Sequence, residues 1–147
     1  MMGHLGSIVY LGAIGVGSIV ISYVLFSFGF IKSLTTGFVS QHAGSNSDKE
    51  LLLALSHLLL ISSFISFFLI FFRDQIIIFS LDFMNASNDV NINSKIYLDY
   101  RIWSIPAIFL RDILIGYYIG VQNIKAAIII SIAVNLLNII LDYYFIH

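Results

Sequence analysis

The 147-residue chain has no cysteine, a single proline and few charges, with Asp, Glu, Lys and Arg together at 10%. Lack of cysteine removes disulfides, thiolate metal sites and thiol catalysis, while leaving the redox compartment open. His4, His42, His57 and His147 are too scattered for a metal-ligand spacing, and few acids lie within the apolar stretches to help them. A formal net charge of −1 offers neither a basic patch for nucleic acid nor an acidic tail for a basic partner. No nucleophile is grouped with a base, so nothing points to an enzyme. The expectation is no metal and no cofactor.

What is present is apolar: 59% of residues are hydrophobic and the mean hydropathy is +0.98. That composition excludes a water-soluble domain and makes the lipid bilayer the chain's first partner. At ~1.5 Å per residue, about 20 apolar residues span a ~30 Å hydrocarbon core. Four stretches qualify, at about residues 5–31, 51–72, 97–121 and 126–146, with polar loops at about 32–50 and 73–96. The fold class is therefore all-α, a polytopic membrane bundle of four transmembrane helices.

Leu5 to Ile31 runs 27 positions without a charge, too long for the core of a signal peptide and without a basic leader, and reads as a retained helix. Gly12, Ala13, Gly15, Gly17 and Ser18, then Gly29, Ser33 and Gly37 at intervals of four, suit close helix packing in lipid. The plain alternative is that glycine is simply commoner in membrane helices. Lys32 to Glu50 reads as the first polar connection, with Ser47 or Asp48 capping the next helix. His57, inside the second crossing, is expected to hydrogen-bond a neighbouring helix, with a proton relay as the sharper alternative.

Arg73 to Tyr100 is the longest polar segment. QIIIFSLDFM within it is too short to span and suits a helix at the interface or on the end of the bundle. ASNDVNINS then reads as a turn, and the third crossing starts between Asn93 and Arg101. Pro106 falls in its first turns, where proline disturbs the hydrogen-bond ladder. Arg111 and Asp112 interrupt the apolar run; lying ~100° apart on a helix, they are expected to seek other partners rather than each other. Gly116 and Gly120 give a GxxxG spacing. A tight connection at Gln122 to Lys125 makes the third and fourth crossings antiparallel neighbours. Lys32, Lys49 and Lys125 on one side balance Arg73, Lys95 and Arg101 on the other, so loop charge does not orient the chain.

The last crossing carries the clearest pattern. At ~100° per residue Ser131, Asn135, Asn138 and Asp142 fall within an arc of about 60°. A carboxylate at the membrane centre costs ~2.5–3.5 kcal/mol, so this stripe should face other helices or a wet cavity.

Five blocks, HLGSIVYLGAIGVGS (4–18), FGFIKSLTTGFVSQ (28–41), RIWSIPA (101–107), LIGYYIGVQN (114–123) and VNLLNIILD (134–142), resemble in order and spacing segments of the multidrug and toxic compound extrusion (MATE) transporters, in particular the DinF-like branch. The resemblance implies a cation-coupled antiporter of about twelve helices in two facing lobes, of which this chain supplies helices two to five of the N-terminal lobe. It implies a place in the bacterial inner (plasma) membrane, with 32–50 and 122–125 cytoplasmic and 73–100 external. It also implies that Asn138 and Asp142, with Asn135 on the same stripe, form the ion-coupling and substrate cavity, H⁺ or Na⁺ being the coupling ion. A partly dry cavity favours a neutral Asp, which can then accept and release a proton. Arg111, Asp112 and His57 are further polar packing or cavity candidates; Arg111 and Asp112 depart from the family pattern, which is apolar or amide there.

A single partial lobe cannot alternate against an absent one. The expectation is a fragment or split subunit that pairs with the missing helices and second lobe or with itself, exporting amphipathic or cationic organic compounds. The alternatives are a non-transporting scaffold or inactive remnant, and a small four-helix multidrug pump. The pump reading suffers because such pumps carry a glutamate in their first helix and Leu5 to Ile31 has no acid.

Overall fold

The computed structural model describes residues 8–43 and 48–146, and these are helical almost throughout, with no strand among them. In chain order the helices are α1 (Ile8–Ser27), α2 (Phe30–Ala43), α3 (Asp48–Phe71), α4 (Arg73–Met84), α5 (Asn88–Arg101), α6 (Ile105–Gly120) and α7 (Ile124–Ile146). Three helical stretches, Ile8–Ala43, Lys49–Phe71 and Asn88–Gly120, are long and apolar enough to cross a membrane, and Ile124–Leu137 adds a shorter apolar run within α7. The chain is an all-α membrane protein, and its exposed Leu, Ile and Phe side chains suit contact with lipid.

Two of the long stretches are interrupted. Between α1 and α2, Phe28 and Gly29 donate to Leu25 and Phe26 at 3.2 and 3.1 Å, a tighter i→i−3 pattern. Between α5 and α6 lies one 3-10 turn, Ile102–Ser104, just ahead of Pro106, whose missing N–H removes a rung of the α ladder. Ser104 Oγ donates to the Arg101 carbonyl at 2.7 Å across this turn. Near these two interruptions, and again within α3, the chain divides into two compact units, residues 1–29 with 63–107 and residues 30–62 with 108–147.

In the first unit α5 packs along α1, and α4 packs on both. Ser94, Leu98 and Ile102 recur every four residues as the buried face of α5 and its 3-10 extension. Opposite them α1 offers Ala13 and Gly17. Ser94 Oγ donates to the Ala13 carbonyl at 3.0 Å, and Ser18 Oγ lies 3.4 Å from Tyr97 Oη. Gly17 sits directly under the Tyr97 ring, where a Cβ would not fit. Ile77 and Leu81 make the buried face of α4, which ends at Asn85 in the left-handed conformation (φ 48°).

α5 is more polar than the sequence pattern suggests for a helix, and the segment read as a turn is helical from Asn88; only Asn85 to Ser87 lie outside helices. Asp89 in the first turn and Arg101 in the last complement the helix dipole, and the buried Leu98 holds the face against α1.

In the second unit the reading of Lys32 to Glu50 as a connection is also corrected: α2 is helical to Ala43, because Ile31, Thr35 and Val39 recur every four residues and bury one face. The proposed cap Ser47 lies outside the described residues. α6 ends in a reciprocal pair of backbone bonds, Gln122 N–H to the Ile119 carbonyl at 2.9 Å and Asn123 N–H to the Tyr118 carbonyl at 2.8 Å, with Gln122 at φ 61°. Asn123 Oδ1 then accepts from Ala126 N–H at 3.2 Å and so caps α7. This tight turn runs α7 back beside α6.

Candidate functional site

The second unit is built on a close helix pair. A Cβ placed on Gly116 would lie 2.8 Å from the Lys32 carbonyl oxygen and 2.9 Å from Thr35 Cβ. One placed on Gly120 would lie 2.7 Å from Val39 Cβ and 3.0 Å from the Thr36 carbonyl oxygen. Both glycines are therefore required by approach, and because Gly116 meets Lys32–Thr35 while Gly120 meets Thr36–Val39, α2 and α6 run parallel. By contrast Gly15 and Gly37 face open space, so only part of the small-residue pattern serves packing.

Beside this seam α2, α6 and α7 line an open polar pocket of about 240 Å³, with Lys32, Arg111, Asp112, Ile115, Ser131, Val134 and Asn135 on its wall and Lys32 and Asn135 exposed. Lys32 stands eleven residues before the end of α2, Arg111 nine before the end of α6 and Asn135 eleven after the start of α7, which at ~1.5 Å per residue puts each about 14–17 Å from its helix end. Ionised groups set between apolar helices are costly and by default functional.

Arg111 and Asp112 pair with each other, contrary to the expectation from their angular separation. Arg111 Nε and Nη2 both donate to Asp112 Oδ1, at 3.0 and 2.8 Å. The long guanidinium side chain bends back across the ~100° that separates adjacent positions, a reach that the backbone angle alone ignores. Asp112 is the more enclosed, its side chain 20% exposed against 38% for Arg111. Lys32 has no ion-pair partner among the described residues.

The stripe on α7 reaches this pocket through Ser131 and Asn135. Ser131 Oγ donates to the Ala127 carbonyl at 3.0 Å, leaving its lone pairs available. Asn138 and Asp142 belong to α7, but their side chains lie outside the described residues. His57 is elsewhere in the same unit. It makes no side-chain hydrogen bond among the described residues and lines an apolar pocket of about 470 Å³ with His42, Glu50, Phe38, Leu53 and Leu58. Among the described residues no three His, Asp or Glu are grouped to hold a metal ion.

Lys32 is the pocket residue that sequence reasoning missed. It reads as loop because it ends an uncharged run; the signal that finds it is the Ile31, Thr35, Val39 period continuing past it.

Comparison with known proteins is consistent with this architecture. The MatE family profile matches residues 1–144. The DNA damage-inducible protein F of Escherichia coli (strain K12) is 31% identical over 144 residues, covering 98% of this chain and 31% of that protein. The chain thus spans about a third of the length of that relative. No solved structure matches. The profile match covers nearly the whole length of the chain: the chain belongs to the MatE family.

Proposed function

We propose that the chain forms helices two to five of the N-terminal lobe of a MATE-type antiporter, which exports organic compounds across the bacterial inner membrane against an inward flow of H⁺ or Na⁺. It crosses the bilayer four times, α7 included, and works with the remaining helices and the second lobe. The observation that carries this reading is the pocket of Lys32, Arg111, Asp112, Ser131 and Asn135 between apolar helices. A helix bundle that only packs has little use for three charged groups around a cavity, because charges are costly to hold between apolar helices. Asp142, two turns beyond Asn135 on the same arc, takes up the coupling cation, and Asn138 hydrogen-bonds it in either state.

The test uses the complete transporter reconstituted in liposomes with an imposed pH or Na⁺ gradient. Asp142→Asn should abolish gradient-driven flux while the protein still inserts and elutes as the parent does. Undiminished flux would remove Asp142 from the mechanism.

A further inference from the structure

We propose that the pocket between α2 and α3 is a lipid site, which holds a phospholipid with a primary ammonium head, of the phosphatidylethanolamine kind, through Glu50. The inference needs only that the chain sits in a bilayer, so its failure would leave the transporter reading standing.

On the α3 side the wall is Glu50, Leu53, Ala54, His57, Leu58 and Ile61, a spacing of three and four that makes one stripe along the helix. The stripe is graded from polar to apolar. Glu50 lies in the first turn of α3, and His42, on the α2 wall, in the last turn of that helix. Both helices belong to stretches long and apolar enough to cross a membrane, and a connection between two crossings lies outside the hydrocarbon, where its backbone meets water. This end of the pocket therefore stands at the membrane surface. Ile61, eleven residues beyond Glu50, lies about 16 Å further along the helix. Leu53 and Ile61 are half-exposed while Leu58 is buried, so the pocket is open along one side. A polar mouth above an apolar, open-sided run repeats the order of parts in a phospholipid. Its volume of about 470 Å³ is that of an ordinary small-molecule site and takes a head with the upper part of one acyl chain.

The charge at the mouth selects the head. Among the described residues Glu50 is the only Asp, Glu, Lys or Arg on the wall. The sequence joining the two helices, Gly44 to Ser47, carries no charge, and Asp48 after it is a further acid. His42 Nδ1 donates to the Phe38 carbonyl at 2.7 Å, so in the neutral ring the other nitrogen is an acceptor. Acceptors prevail, and they call for N–H donors: a primary ammonium brings three, a trimethylammonium none. Phe38 adds an aromatic face for the cation. Lys49, next to Glu50 and exposed, offers the lipid phosphate a counter-charge that a simple amine would leave unused.

The test reconstitutes the full chain in vesicles of phosphatidylethanolamine, phosphatidylcholine and phosphatidylglycerol, in equal amounts and with the same acyl chains. The chain is then extracted in detergent, and the lipids that stay with it are counted by native mass spectrometry. Phosphatidylethanolamine should be retained over phosphatidylcholine by about tenfold, the effect of one charge-assisted hydrogen bond. Glu50→Gln should bring that ratio close to one, and Glu50→Asp should keep most of it. Ala54→Phe, which fills the pocket without touching its charge, should lower phosphatidylethanolamine retention severalfold. Asp89→Asn removes an acid from the first turn of α5 and should change nothing, which controls for a carboxylate at any helix start. Thermal unfolding of each variant checks that it is folded. Equal retention of the ethanolamine and choline lipids, a preference for phosphatidylglycerol, or an ethanolamine preference that survives Glu50→Gln or falls as much with Asp89→Asn would overturn the proposal.

Discussion

The seam between α1 and α5 in the first unit and the seam between α2 and α6 in the second use the same device and leave different residues behind. Each sets a glycine against the opposing helix, Gly17 under Tyr97 in one and Gly116 against the Lys32 backbone in the other. In the first, the polar groups at the contact are used up by it: Ser94 is fully buried and gives its proton to Ala13, and Ser18 meets Tyr97. In the second, Lys32 and Asn135 are left facing a pocket. Elsewhere in the first unit two buried acceptors, Asn91 Oδ1 and Asp99 Oδ1, have no hydrogen-bond partner. Small residues fix how closely helices approach in lipid; what the polar groups next to them have left over decides whether the place is joint or site.

The comparison breaks most sharply at the glycines. Gly116→Ala puts a methyl against the Lys32 carbonyl oxygen, a backbone atom that cannot swing away, so α2 and α6 must separate at a cost of about 1–3 kcal/mol. Gly120→Ala meets Val39 and the Thr36 carbonyl and should behave alike. Gly15→Ala meets nothing within 4 Å and should raise stability by up to ~1 kcal/mol through helix propensity. Thermal unfolding in detergent reads all three. Equal shifts at residues 116 and 15 would mean that the α2–α6 seam is not close.

A smaller effect separates the two uses of serine. Ser94→Ala removes a buried bond between helices and should cost ~1 kcal/mol. Ser131→Ala removes only a bond to its own helix, four residues back, and should leave stability within about 0.5 kcal/mol of the parent. If both substitutions cost the same, the hydroxyl in the first unit is not structural.

Much of this was legible in the chain itself, and the parts that were not share a cause. The apolar runs locate the helices, and the period of Ser131 and Asn135 puts them on one face of α7, which does meet a polar pocket. Polarity misled at both ends of the helices. Lys32 and the run from Asn88 to Ser94 read as loop because their side chains are hydrophilic, yet packing at every fourth residue, Ile31, Thr35 and Val39 or Ser94, Leu98 and Ile102, outweighs that local preference. The Arg111 and Asp112 pairing was hidden for a different reason: a backbone angle says where a side chain starts, and a guanidinium on a flexible stem ends several ångströms from there.

The smallest expected effect tests whether an exposed contact in the first unit contributes at all. Arg73 lies over Trp103, its guanidinium carbon 5.9 Å from the ring centroid, and also 3.6 Å from Asp74. The Arg73 and Asp74 side chains are 37% and 58% exposed, so the ion pair contributes little, and the cation–π contact is the larger part at ~0.5–1 kcal/mol. Arg73→Gln should therefore lower stability by no more than that, and Asp74→Asn by less. Because Trp103 is the single tryptophan of the chain, its fluorescence reports the contact directly. Arg73→Gln should shift the emission while Asp74→Asn leaves it in place. If Arg73→Gln costs as much in a Trp103→Leu background as in the parent, the ring contributes nothing, and α4 is held to its unit by the buried Ile77 and Leu81 alone.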